Sequence, residues 1–205
     1  MVVGWGVLLP VGALVARYFK VTGRQRWPDQ LDNKAWWHAH RALQWSGIAV
    51  MSVGALIAWL LGVRATPLAA VHGWAGWALV AMGWLQVIAG LARGSKGGPT
   101  DARLRGDHYD MTPYRQAFER LHKGLGWLTV LLAAGVIAGG LVLADAPRWM
   151  PLVLAAWWLA LGWAAWRWQA QGRCIDTYQA IWGPDRAHPG NRIRPIGWGV
   201  RRPLD

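Results

Sequence analysis

The sequence predicts an all-α membrane protein with five transmembrane helices, and three observations lead to that fold class. Of the 205 residues, 54% are hydrophobic and only 16% are charged, whereas soluble domains carry about 25% charged residues. Five runs contain no charged residue, and they cover residues 2–16, 42–63, 67–92, 124–144 and 149–166. A helix satisfies the hydrogen bonds of its own backbone in lipid. Apolar β-strands would not be this long without turn residues between them, so the five runs predict helices.

The five runs differ in length. A spanning helix needs about 20 apolar residues, which the second, third and fourth runs supply and the fifth nearly supplies. The first run is shorter and starts with the chain. It has no positively charged start and no small-residue cleavage site before the basic cluster at Arg17, so it is predicted to be a helix rather than a signal peptide.

The basic residues give the predicted orientation. Twenty of the 22 lysines and arginines fall between spans 1 and 2, between spans 3 and 4, or after span 5, and only Arg64 and Arg148 fall in the other loops. The positive-inside rule places the crowded side in the cytoplasm and the N-terminus outside. The sequence thus predicts an integral protein of a bacterial inner membrane. Attraction to anionic lipid accounts for its net charge of +12, so the charge does not imply a nucleic-acid partner.

Other protein classes are excluded by composition. The apolar content excludes a disordered chain, and a single cysteine, Cys174, excludes a disulfide scaffold. Eighteen tryptophans are many for this length. Seven of them fall near predicted span ends and predict an aromatic belt, namely Trp5, Trp36, Trp37, Trp59, Trp127, Trp149 and Trp168.

Three of the six histidines are candidate ligands because they lie in the spans. His40 and His122 fall near the cytoplasmic starts of spans 2 and 4, whereas His72 falls near the outer start of span 3. Ionisable residues inside a membrane are rare and usually functional. His38 points away from His40 and is interpreted as interfacial. His108 and His188 are interpreted as solvated loop residues.

Each of the three histidines heads a stripe of small residues on its helix face. At 100° per residue, one face is revisited at offsets of 4, 7, 11, 14 and 18. Small residues let membrane helices approach closely, and they also leave room for a flat cofactor beside an imidazole. The stripes contain Gln44, Gly47 and Gly54 after His40, Gly76, Gly83 and Gly90 after His72, and Gly126, Ala133 and Gly140 after His122.

Two imidazoles at one depth on different helices suit a haem iron. His40 and His122 are such a pair, and bis-His ligation is typical of b-type haem. No Cys-x-x-Cys-His sequence is present, so the haem would be held non-covalently. Zinc is less favoured, because no cysteine or carboxylate clusters beside these histidines.

Four stretches, taken in order, resemble the cytochrome b561 family in its bacterial and DOMON-associated branch. The resemblance covers roughly residues 4–145 and implies a four-helix core with two b haems and electron transfer across the membrane. It implies that His40 and His122 hold the cytoplasmic haem and that His72 serves the outer one. The matching stretches are Gly4-Trp-Gly-Val-Leu-Leu-Pro-Val-Gly with Ala16-Arg17-Tyr18, Trp36-Trp-His-Ala-His40-Arg-Ala-Leu-Gln44, His72-Gly-Trp-Ala-Gly76 leading to Gln86 and Arg93, and His122-Lys-Gly-Leu-Gly126.

The first core helix departs from the family pattern. In the family a histidine stands about two turns before the tryptophan of the Gly-Trp-Gly segment, but here the chain begins only four residues before Trp5. Our hypothesis is that Met1 is an internal methionine of a longer protein. If the chain is complete, the outer haem has one ligand, is absent, or takes a ligand from outside.

The remaining parts of the sequence leave several readings open. Residues 1–145 are predicted to form the core, 146–170 a peripheral fifth helix rich in tryptophan, and 171–205 a basic cytoplasmic tail that covers the haem or docks a partner. Gln44 is read either as a helix–helix hydrogen bond or as a haem contact. Arg41, Arg120 and Lys123 either pair haem propionates or are interfacial residues. The acidic residues are assigned to loops, which disfavours a carboxylate proton relay.

The favoured function is transmembrane electron transfer through one or two b haems. The alternatives are a haem-bearing or haem-free anchor subunit of a larger complex, and a carrier or channel with a His-lined path. No nucleophile with a base and an orienting acid is recognisable. The expected partners are membrane lipid, an electron donor and acceptor (a small reductant, a quinone or another cytochrome), and partner subunits or a second copy of the chain.

Overall fold

The computed structural model describes residues 1–62, 66–98, 101 and 103–203, so that the predicted outer-loop residue Arg64 lies outside the described residues. The described chain is helical and holds no strand, which confirms the all-α class. Four helices are long and apolar enough to cross a membrane, and Gly4–Tyr18 is a shorter apolar helix. The α-helices are α1 (Leu9–Tyr18), α2 (Ala35–Leu61), α3 (Pro67–Leu91), α4 (Asp107–Asp110), α5 (Pro113–Leu143), α6 (Trp149–Ala170) and α7 (Thr177–Trp182).

Helix α1 continues from a π-helical segment, Gly4–Leu8, and Pro10 accounts for that geometry. Proline has no N–H, so it leaves the carbonyl four residues earlier, Gly6, without its helical donor. Leaving a carbonyl without a hydrogen bond in lipid costs on the order of several kcal/mol. The indole Nε1 groups of Trp157 and Trp158 on α6 donate to the Gly6 oxygen at 3.1 and 3.0 Å. Helix α6 is therefore joined to the π-helical segment at the carbonyl that Pro10 leaves unpaired.

The bundle core lies where α1, α2, α3 and α5 meet. Met51 and Ala133 are fully buried there, together with Leu79 and Ile137. Trp5 belongs to this core with an exposure of only 4%. The prediction that Trp5 joins an aromatic belt is therefore wrong, because its ring packs inside the protein rather than at a span end.

One end of the bundle, where α1 and α3 end and α5 begins, carries most of the basic residues and is called the basic end below. Helix α5 starts at Pro113, eleven residues before the uncharged run, with Thr112 accepting from the Arg115 N–H as its N-cap. Its 31 residues extend about 46 Å at 1.5 Å per residue, which is more than the hydrocarbon thickness of about 30 Å. The first turns of α5 therefore project beyond a bilayer.

Residues 171–203 fold back over the basic end and form what we call the C-terminal cap. Lys123 on α5 donates to the Ile196 carbonyl at 2.9 Å, and Lys20 donates to the Ile175 carbonyl at 3.0 Å. The Tyr178 hydroxyl donates to the Tyr109 carbonyl at 2.7 Å. The predicted tail is thus a packed element held by hydrogen bonds to three other segments.

His108 differs from the sequence prediction. Interpreted as a solvated loop residue, it lies in α4 with an exposure of only 4%. Its ring packs edge-on against Trp182 of the cap at a centroid distance of 4.8 Å. The interpretation was wrong because the cap, which is distant in sequence, covers this loop. His188 is half-buried, with its ring 5.4 Å from that of Tyr109.

Candidate functional site

His40 projects from the second turn of α2 and bonds to α1. Its Nδ1 lies 2.9 Å from the carbonyl oxygen of Gly12. A carbonyl only accepts, so Nδ1 carries the proton and Nε2 keeps its lone pair. This is the arrangement that fixes the tautomer and ring orientation of metal-ligating histidines.

His122 lies on α5 near the same end of the bundle. Its ring stacks on Phe118, one turn earlier, at 5.2 Å and an interplanar angle of 23°. His40 lies in the second turn of α2, which starts at this same end. The two histidines that the sequence paired by depth therefore lie at one end of the bundle, on different helices.

The glycine stripes of α3 and α5 receive the histidine of the neighbouring helix. A β-carbon built on Gly140 would lie 2.8 Å from His72 Cε1, and one built on Gly90 would lie 4.0 Å from His122 Cε1. Gly90 follows His72 by 18 residues, and Gly140 follows His122 by 18 residues. One antiparallel register of α3 and α5 therefore satisfies both contacts. The sequence suggested two roles for these small residues, close helix packing and room for a flat cofactor. At Gly90 and Gly140 the structure shows close helix packing.

His72 lies far from the other two histidines, because its ring packs against Gly140 near the C-terminal end of α5. Helix α1 contains no histidine to stand opposite it. Of the three candidate ligands, the structure thus places one at this level and two at the basic end.

Several features at the basic end fit a flat group held between imidazoles. His122 Nδ1 and Gln86 Nε2 are buried without a hydrogen-bond partner among the described residues. Helices α2 and α5, which carry His40 and His122, make little direct contact where the structure describes them. Buried polar atoms are normally paired, so these orphans indicate a missing partner in this space. The residues present fit a haem.

A buried charged network lies one turn below His122 on α5. Glu119, with an exposure of 5%, accepts from Arg115 at 3.1 Å and from Lys123 at 2.6 Å. His108 Nε2 lies 3.5 Å from the same carboxylate. The sequence interpretation placed all acidic residues in loops, which is wrong for Glu119. The capping pair Thr112–Pro113 was the signal that α5 begins early enough to include it.

Burial acts on the basic groups outside the spans. Burial first, and then the positive charges of Arg115 and Arg41, lowers the pKa of Arg93 from its ordinary value. An arginine stays protonated nonetheless, so Arg93, Arg41 and Arg115 concentrate positive charge at the basic end. Burial also lowers the pKa of His108 well below its usual range. The His108 ring is therefore neutral at pH 7.

The other predicted flanking residues have defined contacts. Gln44 Nε2 donates to the Leu9 carbonyl at 3.1 Å. Of the two predicted roles for Gln44, this contact is the helix–helix hydrogen bond rather than a haem contact. Arg120 donates to Gln116 at the surface of α5. Lys123 is taken up by Glu119 and the cap. Arg41 lies over the Trp37 ring at 5.8 Å.

Comparison with curated proteins finds relatives among plant cytochromes. Three proteins of Arabidopsis thaliana described as "Cytochrome b561 and DOMON domain-containing protein" align with 70% of this chain. They are 31% identical over 144 residues, 30% identical over 148 and 28% identical over 144, which is 32%, 30% and 30% of their own lengths. The chain thus spans about a third of the length of the relatives it matches. No protein-family profile matches, and no solved structure matches.

Proposed function

Because the chain belongs to the cytochrome b561 family, we propose that it is an integral membrane protein that transfers electrons across the bilayer through haem b, the cofactor of that family. His40 and His122 are the residues proposed to hold the haem. The observation that supports this assignment is the contact of His40 Nδ1 with the Gly12 carbonyl, which leaves Nε2 free at the end of the bundle where His122 also lies.

Haem b held by these two imidazoles would supply a one-electron iron couple. The chain's residues hold and shield that couple. The Gly12 carbonyl keeps the His40 ring turned and makes it a more basic ligand. Phe118 supports one face of the His122 ring. The buried apolar core beyond them excludes water, which favours electron transfer over chemistry with solvent.

His72 is the proposed ligand of a second level, near the opposite end of the bundle. In the family pattern its partner comes from the first core helix, and here that helix offers none within the described residues. The number of haems therefore depends on whether another group pairs with His72. The basic end is proposed to face the cytoplasm, with the N-terminus outside. The electron donor and acceptor are a small reductant, a quinone or another cytochrome.

The test is haem content and absorption of purified variants. We expect His40→Ala and His122→Ala each to lose the haem of the basic end, and His38→Ala, two residues away and exposed, to keep it. Added imidazole should restore the reduced-state absorption of His40→Gly. His72→Ala should leave this haem in place. Wild-type haem content in both His40→Ala and His122→Ala would reject the ligand pair, and haem-free wild-type protein would favour the anchor-subunit alternative.

A further inference from the structure

Each proposed ligand imidazole is backed by an aromatic ring from its own helix. Trp37, three residues before His40, has its ring centroid 6.1 Å from that of His40, tilted by 32°. Phe118, four residues before His122, stacks at 5.2 Å. Neighbours three or four apart share one face of a helix, so both rings lie on the side of the helix that carries the histidine.

A guanidinium covers each of these aromatic rings. Arg93 Cζ lies 4.2 Å from the centroid of Trp37, and Arg115 Cζ lies 5.0 Å from that of Phe118. Both distances lie within the reach of cation–π attraction, about 6 Å. The two arrangements therefore have the same order, arginine then aromatic ring then histidine, on α2 and on α5.

The Arg115 guanidinium is also bonded to the backbone of Arg93. Arg115 Nη1 donates to the backbone carbonyl of Arg93 at 3.1 Å, and Arg115 Nε donates to Glu119. Arg115 is buried, and Arg93 is half-buried just beyond the end of α3. One hydrogen bond thus ties the Arg115 side chain on α5 to the backbone that carries Arg93, after the end of α3.

We propose that Arg93 and Arg115 are positioning residues for the haem ligands His40 and His122, acting through Trp37 and Phe118, and that their charges raise the reduction potential of the site. The inference rests on the proposed function. Its electrostatic part follows because reduction of the iron adds one negative charge, which nearby cations stabilise. Its geometric part follows because a planar guanidinium restrains a ring it covers, whereas a lysine ammonium acts as a point charge.

One set of full-length variants tests the electrostatic part and the geometric part of this inference separately. Haem content is measured first, because its loss in His40→Ala but not in Arg93→Met tests the function independently of this inference. Midpoint potential then reports the charge, and the largest g value of the ferric low-spin electron paramagnetic resonance signal reports the mutual orientation of the imidazole planes. Arg120→Met is the matched control, since Arg120 lies on α5 as Arg115 does, but is exposed and covers no aromatic ring in the part of the chain that the structure describes.

We expect Arg93→Met and Arg115→Met to lower the midpoint potential at least twice as much as Arg120→Met does, and to shift the g value. Arg93→Lys should restore the potential but not the g value. If Arg115→Met does not fold, Arg93→Met and Trp37→Leu carry the test, since both residues are only half-buried. Shifts in Arg93→Met no larger than those of Arg120→Met, in a protein that keeps its haem, would overturn the inference.

Discussion

Arg202 and Asp176 form an ion pair of 2.9 Å in which their side chains are only 5% and 6% exposed. The same guanidinium donates to the carbonyls of Asn191 and Gly190 at 2.7 and 2.8 Å. Asp176 is the N-cap residue of α7, so the pair ties the start of that helix to the turn at Gly190. A charge buried this deeply is stable only while its partner remains.

Replacing Asp176 should therefore open the C-terminal cap. Asp176→Ala leaves Arg202 buried without a carboxylate, a change that costs about 3–5 kcal/mol in comparable pairs. Cys174, the single cysteine, is 1% exposed in this element, so the rate at which a thiol reagent labels it measures cap opening. We expect labelling to rise by roughly a hundredfold or more. Arg194→Gln, at an exposed position, should label as slowly as the wild type, and equal rates in the two variants would contradict the prediction.

Lys20 should make the cap more stable as pH rises. Burial first, and then the charge of Lys123, lowers the pKa of Lys20 to about 8 from its model-peptide value of 10.5. Between these values the unfolded chain binds a proton that the folded chain does not, so the free energy of unfolding increases with pH across this window. The full gain is about 3 kcal/mol. Cys174 labelling, divided at each pH by the rate for unfolded protein, should slow from pH 8 to pH 10. Lys20→Met should lack this slope, and an identical slope in that variant would exclude Lys20 as its origin.

His108 should make the same element sensitive to acid. Burial first, and then the charge of Arg115, holds its pKa well below the ordinary value of 6.5. As pH falls below about 6.5, the unfolded chain takes up a proton that folded His108 refuses, so stability is lost on the acid side. We expect Cys174 labelling, normalised in the same way, to accelerate from pH 6.5 to pH 5. His108→Phe should abolish most of this acceleration, whereas His38→Phe should retain it. Acid sensitivity that survives in His108→Phe would assign it to another group.

Gly140 and Gly139 form a matched pair for the contact between α3 and α5. A β-carbon on Gly140 would meet the His72 ring at 2.8 Å, whereas one on Gly139 would lie at an ordinary 4.0 Å. Alanine in place of glycine ordinarily favours a helix by about 0.8–1 kcal/mol, while overpacking costs about 1–3 kcal/mol. Unfolding of detergent-solubilised protein should therefore show Gly140→Ala less stable than Gly139→Ala. Equal stabilities would mean that His72 moves aside freely.

The membrane-spanning part of the fold could be predicted because lipid imposes a local rule on composition. Charge-free runs located the long apolar helices, and the positions of His40 and His122 at the starts of two of them placed both at one end of the bundle. The ends of the runs were poorer guides to the ends of the helices. Helix α5 continues outward through charged residues such as Glu119, which hydropathy assigns to a loop.

Features that depend on contacts between distant segments could not be predicted. His108 is polar and sits among polar neighbours, and only the cap, some 70 residues later, buries it against Trp182. The indole pair on Gly6 needs Pro10 to free a carbonyl and α6 to reach it. The stripes of glycine were visible in the sequence, but their role at Gly90 and Gly140 depends on the register of two helices.

That register also fixes how far apart the two levels of histidine lie. His72 is level with Gly140, which follows His122 by 18 residues on α5, and this separates the two levels by about 27 Å along the helix. An electron that travels between them moves one elementary charge across most of a hydrocarbon layer about 30 Å thick. Such a transfer is electrogenic, and a membrane voltage of 100 mV changes its free energy by about 2.3 kcal/mol, or roughly fiftyfold in equilibrium. Under the proposed function, the antiparallel packing of α3 on α5 would therefore make the direction of electron transfer depend on the membrane voltage.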